Sequence, residues 1–196
     1  MPELPEVELV ARSLETIVSG KTISNAELLR ERLAPDSTAS DFAHRLSDCK
    51  INLVHRRGKH ILFDLDNGRT LITHLRMSGR FLHLPIESEN PKFAHAIFYL
   101  NGDTKLVFDD QRHFGLMKLV ETSRLKEVES IQKLAPEPFS DEFSPGYLFK
   151  QLRSSKRSLK EFLIDQTKVC GLGNIYAAEA MFLAKLNPEQ PANTIS

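Results

Sequence analysis

The sequence predicts an α+β protein in which an N-terminal helix and an antiparallel β-sandwich are followed by a smaller helical domain. Residues 5–18 carry apolar side chains at helical spacing. The next hundred residues consist mainly of short apolar runs separated by turn signals, which is typical of antiparallel strands. Beyond about residue 121 the spacing becomes helical again. We therefore expect a sandwich domain over residues 1–130 and a helical domain over residues 131–196.

The first helix is expected to contain Pro5 early and to end before Gly20, because proline suits the first turn and glycine the exit. A short second helix is predicted over residues 40–49. Asn-Gly pairs at 67–68 and 101–102 predict tight hairpin turns. The predicted strands cover residues 21–30, 51–56, 60–65, 70–75, 93–100, 105–108 and 116–120. This many short strands with one helix predicts a helix packed on a sandwich.

The second domain shows helical spacing in four places separated by short breaks. The predicted helices cover residues 123–134, 145–152, 158–166 and 174–184. A Pro-Glu-Pro stretch at 136–138 predicts a linker between the first two. Gly171 and Gly173 predict a tight turn before the last helix, because glycine adopts conformations that other residues avoid.

The composition is typical of a soluble globular protein, with 41% hydrophobic and 27% charged residues. No apolar run is long enough to span a bilayer, and no signal peptide is visible. Cys49 and Cys170 lie far apart and form no CxxC pair, so the sequence indicates neither a disulfide framework nor a zinc site. We expect no cofactor in this chain and a reducing, cytoplasmic location.

The formal net charge is zero, with 26 basic and 26 acidic residues, so the total does not indicate nucleic-acid binding. The distribution of charge is more informative. Basic residues concentrate in the stretches 53–80 and 150–185. Together these stretches fit two walls of a nucleic-acid cleft, whereas either one alone is equally typical of a solvated basic face.

The first eight residues, Met-Pro-Glu-Leu-Pro-Glu-Val-Glu, carry the clearest chemical signal. Removal of Met1 would leave Pro2 with a free secondary amine, and α-amino groups are partly neutral near pH 7. Such an amine can attack a sugar C1′ and form an iminium intermediate. Glu3 is placed to donate a proton to the sugar, and Glu6 lies one helical turn further on, near enough to support the site. The simpler alternative is a start codon followed by an ordinary helix.

This octet resembles the N-terminus of the formamidopyrimidine-DNA glycosylase family, whose members excise oxidised purines such as 8-oxoguanine and formamidopyrimidines and then cut the strand. The resemblance implies Pro2 as the Schiff-base nucleophile and Glu3 as the proton donor. Leu4 favours this branch over the related endonuclease VIII branch, where glycine is usual. We therefore expect a bifunctional DNA glycosylase and AP lyase of base excision repair.

Two further segments match family motifs in the predicted strand region. Lys59, in an Arg-Arg-Gly-Lys turn, matches the family's lysine at the active-site mouth, implicated in phosphate binding and elimination. The segment 74–79, His-Leu-Arg-Met-Ser-Gly, resembles the His-Leu-x-Met-Ser-Gly loop. The resemblance implies that His74 contacts DNA and that Met77 fills the space left by an extruded base. In isolation such a lysine is usually only solubilising, and such a methionine usually belongs to the core.

The segment 110–115, Asp-Gln-Arg-His-Phe-Gly, matches the family pattern Asp-x-Arg-x-Phe-Gly. The resemblance implies that Arg112 enters the hole opposite the orphaned base, since its fork of donors suits a base edge, and that Phe114 wedges beside it. His113 stands where another arginine is common, which predicts a weaker phosphate contact. His95 matches the second histidine of a His-x-His pair whose first position is Phe93 here, and it is a candidate DNA contact.

The segment 171–179, Gly-Leu-Gly-Asn-Ile-Tyr-Ala-Ala-Glu, matches the family's helix–two-turn–helix signature. The resemblance implies a DNA-binding role for the second domain, in which Asn174 and the helix N–H groups bind a phosphate. Lys156 is expected to add positive charge nearby.

The resemblance runs from Met1 to about residue 190, whereas family members continue and usually end in a four-cysteine zinc finger. It implies a C-terminally truncated chain in which Thr194 or Ser196 caps the start of a further helix. The expected partner is damaged double-stranded DNA, bound weakly and salt-sensitively by a monomer in the bacterial cytoplasm, with no membrane and with nucleoid association when bound. The alternative is a non-catalytic fragment that binds damaged DNA or abasic sites. The intact Pro2, Glu3 and Lys59 favour the enzyme.

Overall fold

The computed structural model describes residues 1–195, and it divides the chain into two compact units. The N-terminal unit contains Met1–Arg56 and His60–Leu125, and the helical unit contains Arg57–Lys59 and the chain from Lys126 onward. The predicted capping role of Ser196 lies outside the described residues. The three residues Arg57–Lys59 thus group with a unit whose other residues begin at Lys126, so the two units are not two consecutive stretches of the chain.

Helix α1 (Leu4–Val18) opens the N-terminal unit, and its buried side chains recur at helical spacing. Those side chains are Leu4, Val7, Ala11, Leu14 and Val18. The Glu6 carboxylate accepts a hydrogen bond of 2.9 Å from the Glu3 backbone N–H, which closes the helix start. Gly20, with φ +80°, leads the chain out of the helix. The start of α1 is therefore fixed by packing on one side and by a carboxylate on the other.

Eight strands follow in an antiparallel sheet with the order β5-β7-β6-β1-β2-β3-β4-β8. Their bounds are β1 (Thr22–Leu28), β2 (Cys49–Arg57), β3 (His60–Leu65), β4 (Arg69–His74), β5 (Arg80–Pro85), β6 (Ala94–Leu100), β7 (Thr104–Asp109) and β8 (Leu116–Glu121). Hairpins join β3 to β4 and β6 to β7, with registers such as Leu62↔Ile72 and Phe98↔Leu106. The two Asn-Gly pairs lie at these hairpin turns.

The two ends of this strand order fold over a common core, as the α+β sandwich prediction requires. Phe81 in β5 packs against Phe63 in β3 with 5.5 Å between ring centroids, and against Phe108 in β7 with 5.2 Å. Strands that are far apart in the hydrogen-bonded order therefore touch through their side chains. The interior is lined by apolar side chains from six strands, namely Ile23, Ile51, Phe63, Leu65, Leu71, Phe98 and Leu106.

Three local predictions need correction. The second helix, α2 (Ala39–Leu46), is shorter than expected because Asp48 takes a left-handed conformation, φ +60°, and Cys49 already begins β2. Strand β5 was not predicted, since its side chains are mostly half-buried or exposed and give no clear alternation. The helix predicted over 123–134 is a 3₁₀ turn, Thr122–Glu127, followed by one turn of helix, α3 (Glu129–Gln132).

The helical unit continues with α4 (Pro145–Arg153), α5 (Leu159–Ile164) and α6 (Asn174–Leu183). The Ser144 and Ser158 hydroxyls accept hydrogen bonds from the N–H groups of Tyr147 and Glu161, in the first turns of α4 and α5, and so fix where each helix begins. The apolar core of this unit comprises Leu152, Leu159, Phe162, Val169, Ala177, Met181 and Ala192. Across residues 1–195, none of the helices has the length and apolar character needed to cross a bilayer.

Candidate functional site

Pro2 and Glu3 immediately precede α1. Pro2 is half-buried, and Glu3 occupies the position before the first helical residue with only 2% of its surface exposed. A carboxyl group this deeply buried cannot sample many orientations, and the helix start carries partial positive charge that favours it. Glu6 is exposed, and its carboxylate accepts the hydrogen bond from the Glu3 backbone N–H. This bond fixes the backbone of Glu3, and the support of a catalytic site by Glu6 stays a prediction.

Two loops of the N-terminal unit, residues 75–79 and 110–115, are joined by the carboxylate of Asp110. One oxygen, Oδ1, accepts the Ser78 hydroxyl at 2.5 Å and the Arg112 N–H at 3.2 Å. The other, Oδ2, accepts the Gly115 N–H at 2.7 Å. Asp110 has no exposed surface. The carboxylate therefore sets the distance between the two loops.

Burial raises the pKa of the Asp110 carboxyl, but hydrogen bonds from Ser78, Gly115, Arg112 and Phe114 together lower it by more, so the pKa lies below its usual range. The same loops leave no room for larger residues at their glycines. A Cβ at Gly79 would lie 2.5 Å from a backbone oxygen, and one at Gly115 would lie 2.6 Å from the Phe108 ring. Both loops thus pack so closely on the Phe108 ring of β7 that only glycine fits at 79 and 115.

The linked loops bring Met77, Arg112 and Phe114 together on one surface of the N-terminal unit. Met77 and Phe114 are 44% and 43% exposed, which is unusual for large apolar side chains held on tight loops. The Arg112 guanidinium lies 5.3 Å from the centroid of the Phe114 ring. Met1 lines the same concave surface as Met77 and Phe114. The surface that displays the predicted wedge residues is thus next to the chain start.

Arg32 belongs to this surface, although sequence reasoning missed it. Its guanidinium lies 6.0 Å from the Phe114 centroid, on the 3₁₀ turn Glu31–Leu33. The buried side chain of Leu33 and an ion pair of 2.7 Å between Lys118 and Asp36 hold this segment in place. The only sequence signal was a basic residue beside a buried leucine, and that pattern is too common to identify a site.

His74 and His95 each lie within hydrogen-bond distance of one of these two loops. His74 accepts the Arg76 N–H at Nδ1, at 3.0 Å, where Arg76 has a left-handed φ of +54°. His95 is only 4% exposed, and its Nε2 lies 3.0 Å from the Asp110 carbonyl oxygen and 2.9 Å from Nδ1 of His113. His113 is exposed. Because His95 is buried, it is better placed to support the loop 110–115 than to contact a phosphate directly. The DNA contact of His95 stays a prediction.

We predict that His95 makes stability depend on pH. Burial lowers the pKa of His95. The positive charges of His113 and Arg30 lower this pKa further, whereas the hydrogen bond to the Asp110 carbonyl and the charge of Asp110 raise it by less. Because the unfolded chain binds this proton more readily, the free energy of unfolding should fall as pH decreases through about 6.5. Urea titrations of the wild type and His95→Gln between about pH 7.5 and 5.5 should show a smaller fall in the variant.

His44→Gln is the matched control for that measurement, because His44 is an exposed histidine on α2. It should keep the wild-type dependence of unfolding free energy on pH. An identical dependence in His95→Gln and the wild type would contradict the assignment to His95.

Lys59 lies in the helical unit, next to the turn that precedes α6. Its side chain is 5% exposed, and its Nζ donates a hydrogen bond of 2.6 Å to the Leu172 carbonyl oxygen. Leu172 stands between Gly171 and Gly173, so the structure brings together two motifs that are more than a hundred residues apart. Asn174 is exposed at the first position of α6, where free N–H groups favour anions. Lys156 is exposed on the connection between α4 and α5.

Arg57 anchors the turn that carries Lys59. Its guanidinium donates to the carbonyl oxygens of Leu134 and Ala135, at 3.0 and 2.7 Å, and to the Glu137 carboxylate at 2.9 Å. The same carboxylate accepts the Gly58 N–H at 2.7 Å. Gly58 has φ +58°, a conformation that suits glycine. This clamp, which the sequence analysis did not identify, fixes the two residues that precede Lys59.

Metal binding is not indicated by the described part of the chain. Across residues 1–195 no group of three His, Cys, Asp or Glu side chains is arranged to hold an ion. Cys49 and Cys170 are both buried, one in each unit, and they are not joined in a disulfide.

Comparisons with known proteins agree with this arrangement. Residues 1–117 match the family described as "Formamidopyrimidine-DNA glycosylase N-terminal domain", and residues 134–196 match the "Formamidopyrimidine-DNA glycosylase H2TH domain". An N-terminal sandwich followed by a helix–two-turn–helix unit defines a class of DNA glycosylases. Within that class, this chain belongs to the formamidopyrimidine-DNA glycosylase family.

Relatives match over the whole chain but are longer. The formamidopyrimidine-DNA glycosylases of Lactiplantibacillus plantarum and Pelotomaculum thermopropionicum are 39% and 40% identical over 196 residues, which is 71% of each relative's length. Among solved structures, the Lactococcus lactis enzyme in complex with DNA containing N7-benzyl-Fapy-dG is 33% identical, with a TM-score of 0.94. That similarity covers all of this chain and 72% of the other. Another structure of the L. lactis protein, also at a TM-score of 0.94, holds DNA with an abasic site.

Proposed function

We propose that the chain acts in base excision repair as a DNA glycosylase with AP-lyase activity, and that it removes oxidised purines such as 8-oxoguanine and formamidopyrimidines. The observation that carries the proposal is the start of α1, where Pro2 is followed by a carboxyl group that is 2% exposed. The L. lactis relative, bound to DNA with a modified formamidopyrimidine or an abasic site, supports damaged DNA as the partner.

In this proposal the Pro2 nitrogen attacks C1′ of the damaged nucleotide, and the glycosidic bond breaks with its electrons leaving on the base. Glu3 gives a proton to the deoxyribose oxygen as the sugar ring opens, and Pro2 loses its proton as the iminium forms. In the elimination that follows, a proton leaves C2′ of the iminium, a double bond forms between C2′ and C3′, and the bond from C3′ to the phosphate oxygen breaks. Lys59 would assist at the phosphates, because a lysine ammonium is a compact positive charge.

Excision from a duplex also requires that the damaged nucleotide leave the base stack, at a cost of a few kcal/mol. Met77 and Phe114 are exposed apolar side chains on tightly held loops, so they can fill the vacated space without losing much conformational freedom. Arg112 can satisfy the orphaned base with its fork of donors. Asn174 and Lys156 would contribute phosphate contacts, which set most of the affinity for DNA.

We predict that borohydride traps a covalent adduct between this chain and a duplex with an abasic site. The trapped amine should be Pro2, so an extension of a few residues before Pro2 should reduce the adduct to background, because it converts the amine to an amide. Lys59→Ala should still give an adduct. Gel analysis of the reduced complex measures this directly, and trapping that persists with the terminus blocked would contradict the proposal.

The role of Glu3 is tested by the rate of base excision. Loss of a positioned proton donor typically slows a reaction by about 10²–10⁴-fold, so Glu3→Gln should slow base excision by that order. Glu89→Gln removes an exposed carboxylate far along the chain and is the matched control, with an unchanged rate. Binding to abasic DNA without any adduct in the unaltered chain would instead support a non-catalytic binding protein.

We predict that Met77→Ala and Phe114→Ala slow excision from duplex DNA more than cleavage at a preformed abasic site. If each wedge contributes on the order of 1.4 kcal/mol to extrusion, its loss slows excision about tenfold. Single-turnover rates on the two substrates separate the effects. Leu53→Ala is the matched control, since Leu53 is 44% exposed like Met77 but lies on β2. Equal loss on both substrates would show that Met77 and Phe114 only support the fold.

A further inference from the structure

The carbonyl oxygen of Leu172 is shared by two side-chain donors within the helical unit. Lys59 Nζ donates to it at 2.6 Å, and Gln166 Nε2 donates to it at 2.8 Å. A carbonyl oxygen has two lone pairs, so the two donors use its full capacity. The place of the Lys59 amine is therefore tied to an acceptor that Gln166 also holds.

The amide of Gln166 is itself oriented by two further hydrogen bonds. Nε2 also donates to the Ile164 carbonyl at 2.8 Å, and Oε1 accepts the Gly171 N–H at 3.0 Å. Two carbonyl oxygens thus face the amide nitrogen, and one N–H faces the amide oxygen. If the amide were flipped, its oxygen would face two acceptors and its nitrogen would face a donor, so all three hydrogen bonds would be lost. Gln166 clasps the turn between α5 and α6 on both sides of the Gly171–Leu172 peptide bond.

The backbone of Gln166 is linked to the segment that carries Lys59. Its carbonyl accepts the Ala135 N–H at 2.9 Å, and the Ala135 carbonyl in turn accepts from Arg57. Arg57 lies two residues before Lys59. A closed chain of contacts therefore runs from Lys59 through Leu172, Gln166, Ala135 and Arg57 back to Lys59.

We propose that Gln166 is a positioning residue for Lys59. By fixing the Leu172 carbonyl, it holds the amine of a long and flexible side chain at one place, so that the charge is ordered before DNA binds. This role rests on the proposed function, because it assigns Gln166 to the site at which Lys59 assists elimination. Gln166 touches neither substrate nor reacting atoms in this role, and it acts through Lys59.

The test is a double-mutant cycle between Gln166→Met and Lys59→Ala. Methionine keeps the length of the side chain and removes all three hydrogen bonds. The measured quantity is the single-turnover rate of strand cleavage at a preformed abasic site. Side chains in one hydrogen-bond network couple by amounts that correspond to about 2- to 150-fold. When Lys59 is present, we expect Gln166→Met to slow cleavage about tenfold. In the Lys59→Ala background, the same substitution should slow cleavage less than about twofold.

Gln151→Met is the matched control, because Gln151 is a half-buried glutamine of the same unit whose Oε1 accepts a hydrogen bond from Lys168. It should leave the cleavage rate unchanged in both backgrounds. If Gln166→Met does not fold, as judged by its thermal unfolding, Gln166→Glu replaces it in the cycle. That variant keeps an acceptor for the Gly171 N–H but presents an oxygen to the Leu172 carbonyl, so it should give the same non-additive loss.

Equal slowing in both backgrounds, or no slowing in either, would overturn the positioning role and show that Gln166 only holds the fold. The failure of the proposed function is distinguishable from this result, because borohydride trapping would then fail in the unaltered chain. Trapping with additive losses refutes the role of Gln166 alone.

Discussion

The surface that displays Met77 and Phe114 depends on one buried carboxylate, that of Asp110. A carboxylate without exposed surface is costly unless its oxygens are hydrogen-bonded, and here a hydroxyl and backbone N–H groups from two loops supply the bonds. The same contacts hold the two loops together, and both loops pack so closely on the Phe108 ring that only glycine fits at 79 and 115. Apolar side chains can then stay exposed, because buried polar contacts already stabilise the backbone that carries them.

The helical unit uses a comparable device around Lys59. Arg57 satisfies carbonyl groups of a segment almost eighty residues later in the chain, and Glu137 accepts from both Arg57 and Gly58. Each unit thus holds its candidate site residues through polar groups with several partners. Asp110 is buried, whereas Arg57 and Glu137 are half-buried. Such networks specify one arrangement when all members are satisfied, which suits sites that must be ordered before the substrate binds.

Much of this fold is predictable from local patterns. Helix α1 and the two Asn-Gly hairpins have strong periodicity and turn chemistry, and the structure has them within a few residues of the predicted bounds. Strand β5 was missed because it is half-exposed along its length. The motif residues Pro2, Glu3 and Lys59 could be named from sequence, whereas Arg32, Arg57 and Gln166 could not. These three residues stand out only through contacts with residues that are distant in the sequence, and the spacing of neighbouring residues does not predict such contacts.

The most direct test of this account is the substitution Asp110→Asn, which keeps the volume but turns one acceptor into a donor that faces N–H and O–H groups. Urea unfolding should show a loss of about 2 kcal/mol, since buried polar groups are left unpaired. Excision from duplex DNA should fall while cleavage at a preformed abasic site persists. Asp103→Asn, in an exposed turn, is the control and should change neither. Unchanged stability and unchanged duplex excision in Asp110→Asn would contradict the claim that this carboxylate holds the wedge loops.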